Sequence, residues 1–102
     1  MSPAGTAGTI RPHVQRRTYL FSGHVQGVGF RYTAQHLAMN YPVGGYVRNL
    51  PDGRVEMVVE GEEKELDALA SALARQMEGF IRDTKHSTGN AMGEFSSFTI
   101  RH

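Results

Sequence analysis

The stretch GYVRNLPDGRVEMVVEG, Gly45 to Gly61, decides the fold. Its centre, Pro51-Asp52-Gly53, is turn chemistry: proline fixes φ, aspartate bonds the local backbone, and glycine accepts positive φ. After the turn, residues 54–60 alternate Val55, Met57 and Val59 with Arg54, Glu56, Val58 and Glu60. That is the period of a strand with one face in a core. Before the turn, GYVRNL (45–50) reads as a second strand, and two strands about one short turn make a hairpin.

Outward from the hairpin, the apolar period changes on both sides. Upstream, Phe30, Ala34, Leu37, Ala38 and Tyr41 fall on one helical stripe, Pro42 stops it, and Gly44-Gly45 turn the chain. Downstream, Gly61 is expected to break the strand. Leu66, Leu69, Ala70, Leu73 and Met77 then predict a helix over 63–78, stopped at Gly79. A strand over TYLFSGHV (18–25) precedes the first helix. A strand near 80–87, the turn GNAMG and a last strand in FSSFTIRH follow the second. The order β-α-β-β-α-β predicts an α+β fold, the ferredoxin-like split βαβ sandwich: an antiparallel sheet with two helices on one face. Such an architecture hosts many activities, so function must come from particular residues.

With 102 residues the chain is sized for one domain. Residues 1–16, MSPAGTAGTIRPHVQR, are small, polar and without period, and are expected to be a flexible tail ahead of a domain at 17–102. No cysteine is present, which rules out disulfides and thiolate metal sites and fits a reducing cytoplasm. No run reaches the roughly 20 apolar residues of a spanning helix, so no membrane partner is expected. The net charge is only +1, but it is segregated: residues 1–51 hold five arginines and no acid, and all ten acids follow. A locally positive half would attract an anion, although small domains also segregate charge by chance.

Within that half lies GHVQGVGFR, Gly23 to Arg31, at the junction of the first strand and first helix. Glycine costs entropy on folding, so three in seven residues need a geometric reason. Backbone N–H groups converging into an anion nest at a helix N-terminus supply one, and Arg31 could clasp two phosphate oxygens. A flexible turn with a surface arginine is the plainer alternative. The spacing matches neither a dinucleotide fingerprint nor a nucleotide P-loop.

GHVQGVGFR matches G-x-V-Q-G-V-x-F-R without a gap, and Gly45–Gly61 matches a second, longer pattern; together they resemble the two signatures of acylphosphatases, over about residues 17–102. The resemblance implies hydrolysis of the carboxyl-phosphate bond of an acyl phosphate, with inorganic phosphate as product and no metal or organic cofactor. It implies that Arg31 binds the phosphate and Asn49 orients the water. The amides of the loop His24, Val25, Gln26, Gly27, Val28, Gly29 and Phe30 would complete the cradle. A monomeric cytoplasmic enzyme is expected, and the absence of a following domain favours a free-standing one. The segment EGFIRDTKHSTGNAMGEF departs from the GPP-type ending of many bacterial relatives and leaves the register of the final strands open.

Other readings stand beside this one. Read alone, Asn49 is a strand-end residue capping the Pro51 turn. The five histidines show no ligand spacing, and His24 is expected to be solvated or packed. Met57 and Met77 are expected core fillers, and EGEEKELD a solvated first helical turn. Arg48 should face away from Asn49 by strand alternation. A single-stranded RNA reader would need exposed sheet aromatics, which RVEMVVE lacks, so no nucleic-acid partner is expected. A phosphate-sensing or carbamoyl-phosphate-handling domain that keeps the cradle without physiological turnover is the remaining alternative.

Overall fold

The computed structural model describes residues 14–102. The expected tail falls outside them up to residue 13, while Val14 to Arg16 already belong to the first strand. In chain order the elements are β1 (Val14–Gly23), α1 (Phe30–Ala38), β2 (Gly44–Asn49), β3 (Val55–Glu62), α2 (Glu63–Gln76), β4 (Ile81–Asn90) and β5 (Phe98–Arg101). The strands form one sheet in the order β4-β1-β3-β2-β5. This is the expected ferredoxin-like sandwich, with a fifth strand added at the β2 edge.

Burial alternates along β1, whereas β3 is buried on both faces over residues 57–61. Tyr19 and Phe21 of β1, Val47 of β2, and Val55, Met57 and Val59 of β3 are buried. They meet Phe30, Ala34 and Ala38 of α1 and Leu66, Leu69 and Leu73 of α2 in one core. The Phe21 ring lies 5.0 Å from that of Phe30, so the first strand is packed directly on the start of the first helix. Each wholly buried leucine contributes about 1.5–3 kcal/mol. Met57 and Met77 fill this core as expected.

Four expectations shift. The sheet is mixed rather than wholly antiparallel, because β5 runs parallel to β2, with Gly45 opposite Phe98 and Arg48 opposite Arg101. β4 ends beside Gln15, and the chain then crosses to the far edge, so the strand that follows must run in the direction of β2. Gly61 does not break β3 but pairs with Gln15 inside it. Helix α2 ends at Gln76, where Met77 N–H still reaches Leu73 O at 2.9 Å, so Gly79 is not its stop. Gly89 and Asn90 do not turn but stay paired with Arg16 and Gln15, which shifts the turn to 91–97 and confines the last strand to Phe98–Arg101.

That crossing segment covers part of the helix-free face. Glu60, expected in a solvated run, is 7% exposed and accepts the N–H groups of Met92 (2.8 Å) and Gly93 (3.0 Å). Arg16 bridges Glu60 and Glu94 and lies over the Phe95 ring. On the helix side, buried Arg17 reaches Asp67 of α2 and donates to the Tyr19 hydroxyl. Burial pushes the Tyr19 phenol up from its ordinary value.

Candidate active site

β1, β2 and β5 are mutually aligned, so their C-terminal ends reach the same end of the sheet, where α1 begins. The connection from β1 to α1 is built by its glycines. Gly23 passes so close to β4 that a Cβ there would lie 2.5 Å from Phe80 O. Gly27 and Gly29 adopt φ 79° and 77°, and a Cβ at either would meet nothing. These two are required by backbone conformation, not by space, and such left-handed turns aim N–H groups inward.

Gly29 caps α1 without a side-chain hydrogen bond, and no acid stands in the first turn. Its carbonyl accepts Thr33 N–H at 3.0 Å, the first bond of the helix ladder. The N–H groups of Phe30, Arg31 and Tyr32 precede that bond and have no partner within the helix, so they add a partial positive charge.

A recess of about 120 Å³ opens there. Val25 and Phe30 line it from the core, Gly27 and Gly29 from the loop, and Arg31, Tyr32 and Asn49 complete it. Of the residues anticipated from sequence, the structure therefore brings together Val25, Gly27, Gly29, Phe30, Arg31 and Asn49. His24, Gln26 and Val28 are not among those lining the recess. The His24 amide is already given to Phe80 O at 2.8 Å, and its side chain is exposed. Val28 packs against the core instead.

Arg31 stands apart from the other described arginines of the acid-free half. Arg16, Arg17 and Arg48 each pair with a carboxylate from the acidic half: Glu60 and Glu94, Asp67, and Glu56. Arg31 has no such partner among the described residues. Its Nη1 donates to Arg101 O at 3.3 Å and lies 3.3 Å from His102 Nδ1. The guanidinium is thus held by a backbone carbonyl and an imidazole ring, with no carboxylate among the described residues within ion-pair distance. Arg48 faces away from Asn49 as expected, bonded to Glu56 at 2.7 Å.

Two features were not visible in sequence. The Gln26 side chain straps the loop to the hairpin, its Nε2 donating to Leu50 O (2.8 Å) and Arg54 O (2.9 Å). Tyr32, off the apolar stripe of α1, borders the recess. Beyond Asn49 the turn is fixed by Asp52, which accepts Arg54 N–H at 3.1 Å; that bond holds its carboxyl below the usual carboxylate value. Among the described residues no group of three or more His, Cys, Asp or Glu is placed to hold a metal, and no helix is long and apolar enough to cross a membrane.

The acylphosphatase family model matches residues 17–100, which contain the loop, the hairpin and all seven strands and helices but the ends of β1 and β5. The chain belongs to the acylphosphatase family. It is 38% identical over 89 residues to an acylphosphatase of Methanospirillum hungatei, covering 86% of this chain and 98% of that one. Among solved structures, acylphosphatase from Bacillus subtilis superposes with a TM-score of 0.75 at 31% identity, covering 87% of this chain and 99% of that one. A full-length HypF in its phosphate- and nucleotide-bound form matches 93% of this chain at 26% identity and a TM-score of 0.74, over 13% of its own length. Membership makes the protein a hydrolase of small acyl phosphates.

Proposed function

We propose that the reaction runs in this recess by in-line attack of water on phosphorus. Arg31 and the amides about Gly27, Gly29 and Phe30 hold the three phosphoryl oxygens and neutralise charge as the bond to the acyl oxygen breaks. Asn49 holds the water opposite the leaving oxygen; its amide accepts one hydrogen bond and donates another, so it orients water without deprotonating it. The bridging P–O bond electrons leave with the carboxylate, whose conjugate acid has a pKa of about 4, so no general acid is required at neutral pH. The water oxygen joins phosphorus and its protons end on the product phosphate. No metal or cofactor takes part.

One observation carries the reading: an arginine with no carboxylate partner among the described residues shares a recess of about 120 Å³ with two left-handed glycines and an asparagine. The RNA-reading alternative has little to support it, since Tyr46 on the open sheet face lies under the Arg101 guanidinium, 3.8 Å from its ring centroid. A monomer in a reducing cytoplasm completes the proposal. The lack of cysteine supports the compartment, and sedimentation at the monomer mass would test the assembly state.

The test is metal-free hydrolysis of benzoyl phosphate, competed by inorganic phosphate. Asn49→Ala is expected to lose on the order of 10²-fold or more in kcat while phosphate still inhibits. Arg31→Ala is expected to lose both turnover and phosphate inhibition. Wild-type turnover by the Asn49 variant would overturn the water-orienting role.

A further inference from the structure

Tyr32 borders two spaces at once. It lines the recess beside Arg31 and Asn49, and it also lines an open groove of about 420 Å³ along α1. Its side chain is 72% exposed, and Met39, at the far end of the same groove, is 77% exposed. Tyr32, His36 and Met39 stand at i, i+4 and i+7, one outward face of the helix. Neither Tyr32 nor Met39 belongs to the hydrophobic core, so both side chains stand available to a ligand leaving the recess.

The charge pattern narrows that reason. Thr33, Gln35, Leu37 and Gln76 complete the groove, and no Asp, Glu, Lys or Arg lines it. A second anionic group on the substrate would find neither lysine nor arginine there. A flat apolar group would find a ring face and a flexible thioether. The recess itself is sized for the phosphoryl group, so the rest of the substrate must leave it across its rim.

We infer that Tyr32 is a specificity-determining residue: the acyl group leaves the recess over its ring into the α1 groove, so the enzyme favours uncharged apolar or aromatic acyl phosphates over short or doubly anionic ones. This rests on the reading in which the phosphoryl group sits against Arg31.

The ratio of kcat/KM for benzoyl phosphate to that for acetyl phosphate measures the effect. Tyr32→Ala is expected to lower this ratio about 5- to 10-fold, the usual worth of an aromatic contact, and Tyr32→Phe to retain it. The inhibition constant of inorganic phosphate reports the recess separately. An unchanged ratio in Tyr32→Ala overturns the inference, as does an equal fall for both substrates, which would make Tyr32 part of the phosphate grip. Failure of the underlying reading has its own signature: inorganic phosphate would not inhibit the wild-type enzyme, and the acyl platform would fall with it.

Discussion

Removal of the Gln26 amide tests how the loop and hairpin are held in register. Gln26 Nε2 donates to Leu50 O and Arg54 O at 2.8 and 2.9 Å. Both carbonyls keep another donor when it is gone: Gly53 N–H reaches Leu50 O at 3.1 Å, and Leu50 N–H reaches Arg54 O at 2.8 Å. Gln26→Ala therefore leaves no orphaned acceptor, and its cost is the net worth of two neutral hydrogen bonds, about 1–2 kcal/mol. If that energy goes into fixing Asn49, next to Leu50 in the chain, kcat falls about 5- to 30-fold. Phosphate inhibition should move little, because Arg31 and both left-handed glycines remain. Gln26→Glu should be worse than Gln26→Ala, since an ionised carboxylate cannot donate to either carbonyl. Urea denaturation gives the stability change, and steady-state hydrolysis with phosphate competition separates kcat from binding. A Gln26→Ala enzyme with the wild-type denaturation midpoint and kcat would refute the strap, as would a glutamate variant equal to the alanine one.

Two further outcomes follow from groups away from the recess. Glu60→Gln should weaken the seat of the crossing segment by about 1–3 kcal/mol and speed amide exchange at Met92 and Gly93, yet leave kcat within about twofold; a catalytic loss larger than the stability loss would contradict the separation of the two ends of the sheet. Asp52 is held below its ordinary value chiefly by Arg54 N–H, so its stabilisation is full above the unfolded carboxylate value of about 4 and is lost as pH falls through the lower folded value. The stability gap between wild type and Asp52→Asn should therefore narrow below about pH 4 in pH-dependent denaturation; a widening gap would reverse the assigned sign.

Residues that answer to local chemistry were legible from sequence. The hairpin about Pro51-Asp52-Gly53, the two apolar stripes and the glycine-built loop each follow from turn preferences or a periodicity of two or 3.6. The placing of Arg31 and Asn49 at one recess was legible because their motifs fix them to element ends. What escaped depends on distant partners. Gly61 looks like a breaker, yet pairing with Gln15 keeps it in β3. Glu60 looks like part of a solvated acidic run, but the segment that buries it comes from residues 92–93. His24 lies inside the loop motif, and nothing local says that its amide is taken by Phe80. The parallel β2–β5 pairing depends on the route taken after β4, which no short-range signal specifies. Tyr32 carried a weak clue as an aromatic off its helix stripe.

The tether between Arg31 and Arg101 has a consequence for biogenesis. The two are 70 positions apart, and such closures form late because chain entropy opposes them until the intervening segments are in place. A nascent polypeptide emerging from a ribosome can collapse around Leu66, Leu69 and Leu73 well before β5 is available. The Arg31 guanidinium therefore gains this support only when β5 docks beside β2.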